Sequence, residues 1–179
     1  GSGNAGLTNF YRNYGAKGIA GVVGIDVAKG LLGAFIGGLL LGLATRDPLL
    51  VDEYVRIGRL FATFCLVLGH VFPIFYGLRG GKGILVGVSA VFVVNSDAGL
   101  IALVVFALAV VLPRYVSLGS VLGACSVPVT LLANGFSALC LILTLLTLLI
   151  IIMKHMGNIS RIIKKREPRF VFRRDLSHK

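Results

Sequence analysis

The stretch Ile84–Leu112, ILVGVSAVFVVNSDAGLIALVVFALAVVL, decides how the rest of the chain is arranged. It is a long apolar stretch broken by Asn95-Ser96-Asp97. It reads either as one interrupted helix or as two short ones. Charge separates the two readings. With two helices, residues 1–17, 79–83, 113–117 and 154–179 fall on one side and carry fourteen Lys/Arg. The other side then holds residues 45–59, 95–97 and 134–135, with three Lys/Arg and four of the seven acids. A single helix would move the basic tail across and erase that asymmetry. Basic loops stay cytoplasmic in membrane proteins, so the pattern predicts two helices, six spans and both termini in the cytoplasm. Ile84–Val94 is short for a span: at 1.5 Å per residue it covers only about 16 Å of a core about 30 Å thick. It must start within the turn before it, or lie where protein lines the membrane.

Composition supports lipid as the solvent. The 179 residues are 56% hydrophobic and 14% charged, with a mean hydropathy of +0.93. A soluble domain is about half apolar and a quarter charged. The net charge of +11 then reports cytoplasmic loops facing anionic headgroups rather than nucleic acid. Cys65, Cys125 and Cys140 all sit in apolar runs without metal-ligand spacing, and read as free buried thiols.

The predicted fold class is all-α, a polytopic helix bundle over residues 1–153 followed by a basic tail, 154–179. The other apolar runs are Gly18–Ala44, Leu60–Leu78, Leu118–Ala133 and Phe136–Met153. Thr45–Arg59 reads as a charged loop, and Pro73 should kink or terminate the second run's helix just before the glycine turn. Asp26 and Lys29, three residues apart within the first run, read either as an intrahelical ion pair or as a cation facing a site. His70 reads as a satisfied core or interface histidine.

Leu78-Arg79-Gly80-Gly81-Lys82-Gly83 is a glycine-rich turn with two cations. Its small residues would let backbone N–H groups converge on an anion, and Arg79 and Lys82 would add charge. Under the six-span topology this turn shares a membrane face with Ser2 through Arg12, with Arg114 through Ser117, and with Lys154 through Arg161. Such a gathering offers cations, amides, hydroxyls and the imidazole of His155 to one or two phosphates beside hydrocarbon. No metal set and no Ser-His-Asp arrangement is visible in it.

At these segments the sequence resembles the integral-membrane acyl-phosphate:glycerol-3-phosphate acyltransferases of bacterial phospholipid synthesis, the PlsY family. Gly1-Ser2-Gly3-Asn4-Ala5-Gly6-Leu7-Thr8-Asn9-Phe10-Tyr11-Arg12 is similar to its first motif. Gly69-His70-Val71-Phe72-Pro73-Ile74-Phe75, continued through Gly80-Gly81-Lys82-Gly83, is similar to its second. Arg114-Tyr115-Val116-Ser117 matches a further signature loop, and His155, Asn158, Arg161 and Glu167 match the C-terminal motif.

The resemblance implies that a fatty acyl group moves from acyl phosphate to glycerol 3-phosphate, giving lysophosphatidic acid and phosphate. It implies no cofactor or metal, and a bacterial cytoplasmic (inner) membrane location with the site loops and C-terminus on the cytoplasmic side. Ser2, Arg12, His155 and Asn158 correspond to positions needed for activity. Gly80, Gly81, Lys82 and Gly83 correspond to the phosphate loop, and Asn4, Asn9, Arg114 and Ser117 complete the expected substrate-binding set. Glu167 corresponds to a structural position. The family also has a helix ahead of the first motif, so a seventh span is expected before Gly1. Two features depart from the family pattern: Ile84-Leu85-Val86 stands where the family usually has Val-Ala-Thr, and Lys165 stands where a glycine commonly precedes the glutamate.

Acyl phosphate is a mixed anhydride with a good leaving group, so alignment of two anions and stabilisation of developing charge are the main demands. The hydroxyl proton can go to His155 or to a substrate phosphate oxygen. The competing function is a transporter of a phosphorylated or anionic solute, with Asp26 and Lys29 at mid-depth. No internal repeat supports it. A membrane anchor with a lipid-binding basic tail would leave the glycine turn unexplained.

Overall fold

The structure, a computed structural model, describes residues 18–170. Among them the regular structure is entirely helical: α1 (Ile19–Ala44), α2 (Val51–Val71), α3 (Ile84–Val94), α4 (Ser96–Val111), α5 (Val116–Ala133) and α6 (Ala138–Ile163), with 3-10 turns at Pro48–Leu50 and Ile74–Tyr76. Four helical stretches are long and apolar enough to cross a membrane: α1, Pro48–Tyr76 containing α2, α5 and α6. Helices α3 and α4, with 11 and 16 residues, are shorter.

The break at Asn95 is a reversal. Lys82, just before α3, and Ser117, at the start of α5, reach the same cluster of side chains, so α3 runs away from that cluster and α4 returns to it. Asn95 is extended, with φ −158° and ψ 116°, and its Oδ1 accepts from Ala98 N at 2.8 Å, capping α4. Asn134 Nδ2 donates to the same oxygen at 3.3 Å, tying this turn to the α5–α6 turn. Arg59 Nη1 of α2 donates to Val93 O at 2.8 Å, satisfying a carbonyl at the end of α3.

Two boundaries differ from the sequence reading. Residues 45–59 are not a loop: Asp47 Oδ1 accepts from Leu49 N at 2.9 Å, Pro48 opens a 3-10 turn, and α2 starts at Val51. The acids Asp52 and Glu53 lie in its first turn, where the helix dipole favours them. The last helix also runs ten residues past Met153, to Ile163.

Helices α1 and α2 approach closely where Gly37 faces Gly58. A Cβ on Gly37 would meet Gly58 O at 2.6 Å, so only glycine lets the backbones touch. The core between α2, α3, α4, α5 and α6 holds Leu60, Val91, Val94, Ala98, Ala102, Val127, Leu131 and Leu143. Buried hydroxyls are satisfied locally: Thr63, Ser89, Thr144 and Thr147 each donate to the carbonyl four residues back.

Candidate active site

The site lies where α2 ends, α3 and α5 begin and α6 closes. Helix α2 stops because Pro73 cannot continue it; Phe72 N makes the last helical bond, to Leu68 O at 2.8 Å. The glycine turn then folds back on the end of α2. Gly80 N donates to Val71 O and Gly81 N to His70 O, both at 3.2 Å. These two amides therefore satisfy helix carbonyls, whereas the sequence reading has them converge on an anion. Gly80 is seated so tightly that a Cβ would collide with His70 O and lie 2.6 Å from Pro73 Cδ. Gly83, with φ +76°, caps α3, whose first N–H groups have no partner further back in the helix. The turn thus aims Lys82 and the start of α3 inward, while Arg79 remains exposed.

From α6, His155 and Asn158 lie three residues apart on one face. His155 is 1% exposed, and its Nδ1 lies 2.8 Å from Ile151 O. A carbonyl only accepts, so Nδ1 carries the hydrogen and the neutral ring keeps its lone pair on Nε2. Asn158 bridges two opposite partners: Lys82 Nζ donates to its Oδ1 at 2.5 Å, and its Nδ2 donates to Glu167 Oε1 at 2.6 Å. A lysine only donates and a carboxylate only accepts, which fixes the amide's orientation.

Glu167 is the hub. Its side chain is 7% exposed and accepts from Ser117 Oγ at 2.7 Å, Asn158 Nδ2, and Arg161 Nε at 2.7 Å. Burial alone would raise its carboxyl; the hydrogen bonds from Asn158, Ser117 and Arg161 outweigh that and hold it below the usual range. Lys82 is lowered, first by burial and then by Arg161, with Glu167 opposing. Glu167 reaches this place through a tight stop of α6. Lys165 N donates to Ile162 O at 2.9 Å and Arg166 N to Arg161 O at 2.7 Å, with Lys165 left-handed at φ 55°. That conformation is the reason a glycine suits this position. Phe170 N then donates to Arg114 O at 2.6 Å, and Arg169 stacks over Tyr115 at 5.7 Å, fastening the segment to the start of α5.

Of the residues singled out in the sequence, Lys82, Ser117, Asn158, Arg161 and Glu167 come together in one network. Gly80, Gly81 and Gly83 shape the turn, His155 sits one helical turn before Asn158, and Arg114 joins through its carbonyl. Ser2, Asn4, Asn9 and Arg12 lie outside the described residues. Asp26 and Lys29 pair at 2.7 Å, the intrahelical reading, and His70 Nδ1 lies 3.6 Å from Asp26. Sequence reasoning missed the grip of Arg169 on Tyr115 and of Lys154 Nζ on the Phe72 ring, at 4.4 Å. The only available signal was a cation distant in sequence from an aromatic.

Comparison with known proteins shows the family and the fold. The family model described as glycerol-3-phosphate acyltransferase aligns with residues 1–165. The chain belongs to the glycerol-3-phosphate acyltransferase family. A family member from Thermoanaerobacter sp. (strain X514) is 38% identical over 171 residues, covering 94% of this chain and 79% of the relative. One from Trichlorobacter lovleyi is 39% identical over 171 residues, covering 95% and 81%. The fold matches the crystal structure of PlsY, an integral membrane glycerol 3-phosphate acyltransferase, in its glycerol 3-phosphate form. The TM-score is 0.83 at 30% identity, over 100% of this chain and 84% of that one. The lysophosphatidic acid form gives 0.80 at 31% identity, over 95% and 81%. As a glycerol-3-phosphate acyltransferase family member with this fold, the chain is an integral membrane protein.

Proposed function

We propose that this chain transfers a fatty acyl group from acyl phosphate to glycerol 3-phosphate, producing lysophosphatidic acid and inorganic phosphate. The observation that carries the reading is that Asn158 and Glu167 hold two cations, Lys82 and Arg161, in one network with Ser117, beside the buried imidazole of His155. Such a group suits an anionic, phosphate-bearing reactant. In the reaction a glycerol 3-phosphate hydroxyl oxygen bonds to the acyl carbon, and the bond from that carbon to the phosphate oxygen breaks. Lys82 offsets phosphate charge, and its contact with Asn158 holds it in place. The hydroxyl proton passes to Nε2 of His155 or to a phosphate oxygen of the donor.

The proposed topology is six spans over this chain, in the bacterial cytoplasmic membrane, with the site at the cytoplasmic leaflet. The reversal at Asn95 and the basic residues at the site end support it. Helices α3 and α4 would cross as a pair lined by α1, α2, α5 and α6, so α3 need not span lipid alone. Ser2, Asn4, Asn9 and Arg12 are proposed to complete the substrate site.

The test is phosphate release from membrane-reconstituted protein given palmitoyl phosphate and glycerol 3-phosphate. Release that requires both supports acyl transfer. Solute flux across vesicles without release refutes it in favour of transport.

A further inference from the structure

The turn after α2 exposes Ile74, Phe75 and Tyr76 at 81%, 97% and 77%, with Leu78 also exposed. Three successive bulky apolar side chains therefore have almost none of the described residues against them. They are not on a loose loop. Tyr76 N and Leu78 N both donate to Pro73 O, at 3.1 and 3.0 Å, Gly77 N to Ile74 O at 3.3 Å, and Arg79 N to Tyr76 O at 3.3 Å. Leu78 adopts φ 60°, a left-handed conformation that costs a leucine energy. The turn is thus held by its own backbone, at the expense of strain, in a shape that points apolar groups outward. In water that arrangement has no compensating gain. It gains if the surroundings are hydrocarbon and headgroup.

Its neighbours specify which part of the membrane. The turn directly continues an apolar stretch that is long enough to span, and it precedes Arg79, which is exposed. Lys154 lies over the Phe72 ring at its base. Aromatic rings topped by cations match the boundary between acyl chains and anionic headgroups. The same turn continues into Gly80 and Gly81, which are fastened to α2.

We propose that Ile74–Tyr76 is an interfacial wedge. Its aromatic pair lies at the headgroup–acyl boundary of the leaflet on the site side, with Arg79 on anionic headgroups, and it sets the level of the glycine turn against that leaflet. The wedge uses the site only as a marker of level, so failure of the acyl-transfer reading would leave it standing.

The chain has no tryptophan, so Phe75→Trp introduces a single tryptophan whose emission can be read selectively. The full chain would be reconstituted in vesicles of phosphatidylcholine and phosphatidylglycerol brominated at defined acyl positions. Expected is stronger quenching by bromine near the headgroup than by bromine near the chain ends. Leu149→Trp, on the lipid face midway along α6, should show the reverse order. Tyr76→Trp gives the same reading if Phe75→Trp loses its helical circular dichroism. No quenching at any depth, or quenching greatest at the chain ends, overturns the wedge. Emission that changes with protein-to-lipid ratio also overturns it, because a second copy then covers the turn. Adding phosphatidylglycerol to phosphatidylcholine vesicles should increase the quenching, and Arg79→Gln should abolish that increase. Lack of response to the anionic lipid overturns the assignment of Arg79 to headgroups.

Discussion

Replacing Glu167 by Gln tests the hub most directly. The carboxylate accepts from Ser117, Asn158 and Arg161. A carboxamide keeps the shape but offers one oxygen and one NH2. Asn158 cannot turn over to compensate, because that would face its NH2 to Lys82, which has no acceptor. If the new oxygen faces Asn158 and Ser117, the NH2 confronts Arg161 Nε. Arg161 is exposed and can turn to water, so its bond is discounted. What remains is two hydrogen bonds that lose their charge assistance, about 1 kcal/mol each, or about 2 kcal/mol in all. The pH dependence gives a second, independent reading. The Glu167 carboxyl is held below its unfolded value, so its contribution is present above about pH 4.3 and is lost as pH falls through the folded value. Glu167→Gln has no proton to take up there. Thermal unfolding in detergent by far-ultraviolet circular dichroism should therefore show a wild-type advantage at pH 7 that closes toward pH 3. An advantage that stays constant down to pH 3, or none at pH 7, would refute the argument.

The remaining predictions concern the turn, the base and the helix stop. Lys82 is lowered by burial, so glycerol 3-phosphate KM should climb with pH at a midpoint below the ordinary lysine value of about 10.4; Lys82→Arg should move that rise upward, and KM measured from pH 7 to 10.5 checks both. Gly80→Ala pushes a methyl into His70 O and Pro73, which should cost about 1–3 kcal/mol and raise KM for the phosphate substrate; unchanged melting and KM would contradict the packing. His155→Ala should lower turnover by about 10²–10⁴ if Nε2 takes the proton, whereas near-normal turnover in folded protein assigns that proton to the donor's phosphate. Lys165→Gly should stabilise the protein, because the left-handed conformation costs a side chain about 1–2 kcal/mol and glycine gives back only about 0.5–1 in chain entropy; a lower melting temperature would count against this account.

Much was legible in the sequence because lipid imposes simple rules. Apolar length fixed the long helices, and the sign of the loop charges chose two helices over one at Asn95. Pro73 ended α2 where expected. Charge density misled at residues 45–59, since Asp52, Glu53 and Arg56 suit the first turns of a helix as well as a loop. The boundary at Met153 failed for a related reason: hydropathy falls there, but Lys154 through Ile163 keep forming backbone hydrogen bonds toward the site.

By itself, then, the sequence determined that the long apolar segments are helical, that the chain reverses at Asn95, and which polar residue types lie between those segments. Those properties follow from solvation and local chain geometry, which act residue by residue. Only the tertiary structure decided that the Gly80 and Gly81 amides close the end of α2, that Asn158 is oriented between Lys82 and Glu167, and that Glu167 ties α5 to the end of α6. Each of those depends on donors and acceptors from distant segments meeting within about 3 Å, a distance no local pattern encodes.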